Sequence, residues 1–323
     1  MRSPGKWALL LVGVLALTAV RPPAALAENY KVGTWKTAQT IQPYFYPDFL
    51  PESDTVTVHP FTNPADQKSA LLAGSLDMCG TTLAHAIHSA SMGQPVVLVA
   101  ALCSKCSALV VKKEAGIDTV ADLKGKRIGY VPGTMHEILL RETLTRNGLS
   151  PGSDVELIRI DFFDMGLALA GGSIDGFLSG EPFPTIAVEK GYGKILSYPY
   201  YGESIGSINA GMLVTRRFLK THPEQIYRLV KAHAKASRHL TNQPDKWLSR
   251  AAAFGTAKST LEKAAGNMEL AWHMDAAFVK KTRALGKRME KLGMIARQPD
   301  YEQLFDLSFV KRVKTELAAR SNE

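Results

Sequence analysis

The chain has 323 residues, of which 46% are apolar and 21% charged, enough to give two units a core each. Its formal charge of +9 comes from 39 Lys and Arg against 30 Asp and Glu. Much of the excess lies in the C-terminal third, where Lys280-Lys281, Lys287-Arg288 and Lys311-Arg312 alternate with apolar residues at helical spacing. That pattern describes solvated helix faces and argues against nucleic acid as a partner.

Arg2 and Lys6 precede an apolar run, 7–20, that only Gly13 and Thr18 interrupt, and Ala25-Leu26-Ala27 follows. A positive start, a short apolar stretch and a small-x-small site read as a secretory signal peptide over residues 1–27, an uncleaved anchor being the alternative. The run is short for a membrane span, and no cysteine follows the cleavage point to take a lipid. The expected location is therefore periplasmic, without a lipid anchor. Loss of 27 of the 323 residues would leave 296 and, as Arg2, Lys6 and Arg21 depart, a charge of +6.

Strand patterns are expected at 30–34 and 57–60. Asn63 then caps, and Pro64 opens, a helix that reaches 72 and stops at Gly74. A strand at 76–79 turns through Gly80-Thr81-Thr82 into a helix that ends near Gly93, and apolar strands follow at 96–102 and 108–112. The second series runs strand 126–131, helix 134–147 with Thr134 and Glu137 as a capping box, strand 155–160, helix 162–170, strand 174–178 and helix 182–190. Strands at 194–197 and 210–214 close it. Beyond Arg216 strand signals vanish, and helices are expected at 223–240, 244–254, 259–265 and 275–292. Alternating strands and helices mean α/β layering.

The chain repeats itself. Asp66-Gln-Lys-Ser-Ala-Leu-Leu-Ala-Gly-Ser-Leu-Asp77 returns as Asp164-Met-Gly-Leu-Ala-Leu-Ala-Gly-Gly-Ser-Ile-Asp175, with Asp, Ala, Leu, Gly, Ser and Asp retained. Lys31-Val32-Gly33 returns as Arg127-Ile128-Gly129. Two copies imply two similar lobes rather than a solenoid, with a cleft between them.

Three cysteines remain, Cys79, Cys103 and Cys106. An odd number in an exported chain leaves at least one thiol unpaired within it. All three can lie close together, and three readings stand side by side. They are a disulfide, unpaired structural thiols, or a thiophilic metal or metalloid site with Met78, His85 or His136 as helpers.

Asp118-Thr-Val-Ala-Asp-Leu-Lys-Gly-Lys-Arg-Ile-Gly129 resembles a phrase of periplasmic solute-binding proteins of ABC importers. Gly74-Ser-Leu-Asp77, Gly172-Ser-Ile-Asp175 and Gly180-Glu181-Pro182-Phe183 resemble the branch for nitrate, sulfonate, taurine, bicarbonate and thiamine-pyrimidine precursors. The resemblance covers about 30–240; the later helices match by type alone. It implies the two-lobed type II periplasmic-binding fold. Lobe one would comprise 28–111, lobe two 112–213, and 214–323 would complete lobe one. Crossings near 109–111 and 210–214 would form a two-stranded hinge. It also implies a monomer that hands a small solute to a membrane ABC permease, with a membrane sensor kinase as alternative partner. Neither cofactor nor enzyme activity is expected, since no glycine-rich nucleotide loop, metalloprotease helix or nucleophile–base pairing stands out.

With the lobes opposed as in that family, helix starts at Thr81-Thr82 and Thr134 would aim their free N–H groups into one cleft, though each residue also serves as a plain cap. Met135 and His136 follow in the second helix. Trp35 would wall the cleft and Lys36 meet an anionic group. Asn63 and Asp161, equivalent in the repeat, would face the cleft or merely cap. Glu181 disfavours a simple oxyanion and favours a ligand with N–H donors, unless the Glu-Pro pair serves the fold. The expected ligand is a small anionic or zwitterionic organic solute. The alternatives are thiophilic metal or metalloid binding through Cys79, Cys103 and Cys106, and an enzyme of the thiamine-pyrimidine type. In the family, prolines occupy the loop in which Cys103 and Cys106 stand here.

Overall fold

The computed structural model describes residues 27–201 and 207–319; the expected leader, but for Ala27, lies outside them. The first sheet starts with β1 (Asn29–Trp35), whose Tyr30 and Val32 are buried, and β2 (Thr55–Phe61). Between them, 42–48 wind as a 3-10 segment despite Pro43 and Pro47, which hide it from a helix pattern. Helix α1 (Pro64–Leu72) starts as expected, with the Asn63 side chain accepting from the Ala65 N–H. There follow β3 (Met78–Thr82), α2 (Leu83–Ser91) and β4 (Val96–Cys103), all eight residues of β4 being buried.

The second sheet holds β5 (Ser107–Lys112), β6 (Arg127–Tyr130), β7 (Glu156–Arg159), β8 (Gly176–Gly180) and β9 (Gly193–Ser197). Its helices are α3 (Met135–Arg146), α4 (Met165–Ala170) and α5 (Phe183–Glu189). β10 (Ala210–Thr215) returns to the first sheet. The strand orders are β2-β1-β3-β10-β4 and β7-β6-β8-β5-β9. Each sheet has four strands running one way and one reversed strand in fourth place, β10 in the first sheet and β5 in the second.

The repeated phrase is what builds each lobe's first corner. Asp77 accepts from the Lys31 N–H at 2.8 Å, and Asp175 accepts from the Arg127 N–H at 2.9 Å. A Cβ on Gly33 would stand 2.7 Å from Leu76, and one on Gly129 would stand 2.9 Å from Ile174. Thus Gly in each opening strand makes room for the Leu or Ile just before the repeat's last Asp.

Both expected boundaries, 111/112 and 213/214, fall inside strands, because the chain changes sheets a few residues earlier. Residues 104–106 join β4 to β5, and 198–209 lead from β9 to β10. Strand pairing holds β5 wholly in the second sheet and β10 wholly in the first.

The C-terminal part is helical throughout: α6 (Arg216–Thr221), α7 (Pro223–Asn242), α8 (Pro244–Ala252), α9 (Lys258–Ala264), α10 (Ala276–Lys291), α11 (Tyr301–Leu304) and α12 (Ser308–Ala319). It packs mainly on the first lobe. α7 lies on the 42–48 segment, α10 on α2, and α11 and α12 on β4. His233 of α7 is fully buried, with Nδ1 3.0 Å from the Tyr46 hydroxyl and Nε2 2.7 Å from the Ala101 carbonyl. The Trp247 indole donates to the Ala38 carbonyl at 2.6 Å. Among the described residues no helix is long and apolar enough to cross a membrane.

Candidate functional site

Residues of both sheets converge on one small cavity of about 30 Å³. Trp35 ends β1, Thr82 ends β3 and caps α2, and Pro64 opens α1. The second sheet contributes Gly180 at the end of β8, His136 in α3, Phe183 in α5, and Phe162 and Phe163 from the loop after β7. Cys106 and Asn209 come from the two crossings, and Thr37, Gln39 and Thr62 complete the lining. Carboxyl ends of strands from two sheets thus face one space, the ordinary place for a ligand in α/β proteins. A larger open groove of about 620 Å³ lies elsewhere, lined by residues such as Arg238, Glu269, Trp272 and Lys281. It draws on no strand end of the second sheet, so the interlobe cavity is the better candidate.

The cavity is an aromatic box with a polar end. Phe163 and Phe183 meet edge to face at 5.0 Å, and Phe162 meets the His136 ring edge-on at 5.2 Å. His136 Nδ1 lies 3.1 Å from the Ser107 hydroxyl, which fixes the ring. Asn209 donates to Cys106 Sγ at 2.9 Å. Its own Oδ1, like Trp35 Nε1 and Gln39 Oε1, is buried with no partner among the described residues. One unpaired donor and two unpaired acceptors, at or near an apolar wall, suit a small molecule with a flat part and a polar part. Among the described residues no lysine or arginine lines the space.

Of the residues expected at the site, Trp35, Thr82 and His136 line the cavity. Thr81 stands within β3 rather than at a helix start; it is fully buried, and its hydroxyl has no partner among the described residues. Thr134 caps α3, donating to the Val131 carbonyl at 2.7 Å and accepting from the Glu137 N–H at 3.4 Å. Glu137 reaches back to the Gly133 N–H, one residue earlier than a capping box requires. Met135 is buried in the main core, and Lys36 is exposed outside the lining. Asn63 and Asp161, the two equivalents in the repeat, touch each other across the cleft at 3.4 Å.

Glu181 is not among the residues that line the cavity. Its carboxylate accepts from Asn267 at 3.1 Å and from the Thr185 hydroxyl at 2.8 Å, and it precedes a cis proline. Burial raises its pKa, against these hydrogen bonds. Asn267 also donates to the Ser107 carbonyl at 3.3 Å, so Glu181 and Asn267 tie the C-terminal segment to lobe two. Arg288 of α10 and Glu142 of α3, and Lys263 after α9's start and Glu189 of α5, make further ties of that kind.

All three cysteines are free and buried. They do not form one cluster. Cys79 lies opposite Leu213 of β10, whereas Cys103 lies opposite Ala210 on that strand's other edge. No group of three metal-ligating side chains is present among the described residues. Cys103 and Cys106, by contrast, lie close enough for each to act on the other's titration. Sequence reasoning missed the three phenylalanines and Asn209. Phe162, Phe163 and Phe183 read as helix-face residues, and Asn209 sits before a strand in no motif.

A family model described as "NMT1/THI5 like" matches residues 55–247. A 4-amino-5-hydroxymethyl-2-methylpyrimidine phosphate synthase of Schizosaccharomyces pombe is 31% identical over 166 residues, which are 49% of this chain and 47% of that protein. The chain thus spans about half the length of that relative. A putative binding protein of Brucella abortus is 29% identical over 78% of this chain and 80% of its own length. Among solved structures, the alkanesulfonate-binding protein SsuA from Xanthomonas axonopodis pv. citri, bound to MOPS, superposes with a TM-score of 0.78 at 18% identity, over 88% of this chain and all of that one. The fold is the two-lobed, type II periplasmic-binding fold with two crossings. With the family model covering more than half of its length, the chain belongs to the NMT1/THI5-like family.

Proposed function

We propose that the chain is a periplasmic receptor, exported by the leader at 1–27, that captures a small organic solute between its lobes and delivers it to a membrane ABC permease. The observation that carries this reading is the convergence of Trp35 and Thr82 with His136, Phe162 and Phe183 on one small space. Binding proteins among the relatives and the alkanesulfonate-binding structure support it. A solute touching both walls stabilises the closed arrangement over the open one, which is how such a receptor signals occupancy. At about 30 Å³ the cavity admits an organic molecule only as the lobes part and the rings turn.

The solute is anionic or zwitterionic, with the zwitterion favoured. The Trp35 N–H serves an anionic group, the Asn209 and Gln39 side-chain carbonyl oxygens serve an N–H donor, and the rings cover a flat or apolar part. A melting-shift screen of nitrate, bicarbonate, sulfonates, pyrimidines and amino acids tests this. One organic class should raise the melting temperature. Trp35→Ala and His136→Ala should then weaken binding by roughly tenfold or more, and Lys36→Ala should not. Equal affinity in all three variants would move the site elsewhere. The S. pombe synthase favours a second reading, catalysis; a bound solute recovered chemically changed would support it.

A further inference from the structure

The Cys103-Ser-Lys-Cys106 segment is the crossing from the first sheet to the second. Its two thiols stand three residues apart and act on each other's titration, and both residues are 1% exposed. Cys106 Sγ faces the interlobe cavity and accepts from Asn209 at 2.9 Å. A Cβ on Gly180 would stand 3.2 Å from that sulfur and 3.2 Å from His136 Nε2, so the missing side chain leaves thiol and imidazole as neighbours on one small space. These contacts define a sulfur held ready to carry negative charge, with a second thiol three residues earlier in the same segment.

We propose that Cys103 and Cys106 form a thiol–disulfide exchange site, with Cys106 the attacking thiolate and Cys103 the resolving thiol. The oxidant is a small-molecule or protein disulfide, RSSR. Cys106 S⁻ attacks one sulfur of RSSR and expels RS⁻, leaving a mixed disulfide. Cys103 gives up its proton, which ends on a departing RS⁻, and its sulfur attacks Cys106 Sγ and expels the second RS⁻. The balance is two protein thiols plus RSSR giving one protein disulfide plus two RSH. The ring so formed spans the crossing and weakens the acceptor that Asn209 binds at the cavity's polar end, since the sulfur loses its negative charge. The inference stands apart from the identity of any solute.

The order of attack follows from the surroundings. The neighbouring Cys103 thiol acts most strongly, and His136 and then Ser107 add to it, holding the Cys106 thiol well below its ordinary range against the cost of burial. Cys103 is correspondingly raised, first by the adjacent Cys106 and then by burial. Glu181, Tyr200 and Glu269 are the other titratable groups acting on the pair. Cys79 sits apart in β3, and burial raises it.

The experiment takes the reduced full chain through a series of oxidised and reduced glutathione mixtures, followed by intact mass and by peptide mapping of thiols alkylated after quenching. One disulfide joining Cys103 to Cys106 is expected, with the chain two hydrogens lighter and Cys79 alkylated only after unfolding. Cys103→Ser, which keeps a donor, should stall as a glutathione adduct on Cys106. Cys106→Ser should react at least about tenfold more slowly. Iodoacetamide on Cys103→Ser should show a pH–rate midpoint below the ordinary thiol value of about 8.5. An adduct on Cys103 in Cys106→Ser with none on Cys106 in Cys103→Ser would overturn the assignment. So would native wild-type chain whose thiols react only in denaturant, a readout that needs no variant to fold.

Discussion

Gly33 and Gly129 show how a residue without a side chain can fix a lobe. Each lets an aliphatic side chain close over its strand, so Gly33→Val should cost about 1–3 kcal/mol in urea unfolding, and adding Leu76→Ala should recover part of it. The histidines behave differently. His85 sits in α2 against Gly133 of the other lobe, and His233 is buried behind the first sheet. Burial first, helped at His85 by Lys68 and His88, lowers both to about 4 from 6.5. Below about 6.5 the unfolded chain takes up protons that the folded chain refuses until about 4, so stability is full above that window and falls as pH drops through it. Urea midpoints measured at pH 7.5 and pH 5 should differ, and His233→Gln should narrow the gap. Of the cavity residues, Trp35, Thr82 and His136 were legible because each follows a strand end or helix start. Asn209 was not, since only the return of the chain through β10 brings it to Cys106.

Among the elements, α3 separates two roles that one sequence pattern allows. Thr134 has the signature of a cap, and the hydroxyl is spent on Val131 and Glu137. Thr134→Val should therefore lower stability by about 1 kcal/mol in thermal or urea melts while leaving solute affinity within about twofold. A large affinity loss at unchanged stability would put Thr134 at the ligand instead. Most strands and helices were readable from period and from glycine stops such as Gly74 and Gly172. The exceptions are instructive. Pro43 and Pro47 conceal the 3-10 segment on which α7 rests. α6 and α11 are too short to show a period, with 6 and 4 residues. The crossings were displaced because a buried apolar strand looks alike whichever sheet it pairs with; only the ladder tells β5 from β4.

For the molecule as a whole, the repeat predicted two similar lobes, and the matching strand orders give its physical meaning. It did not reveal that equivalent residues would meet: Asn63 and Asp161, one from each copy, join across the cleft. Removing that contact with Asp161→Ala should weaken solute binding by roughly two- to tenfold, read by calorimetry, and leave the unfolding midpoint of the empty protein within error. An equal loss in Asn63→Ala and no further loss in the double variant would identify one shared bond.

The position of β10 has a consequence in time as well as in space. The second sheet is complete once residues 107–197 exist, but the first has a gap beside its edge strand: β4 reaches the rest of the sheet through β10, which is made more than a hundred residues later. On a ribosome, the younger lobe is thus the first able to mature, and the older half must wait, edge exposed, for the strand that completes it.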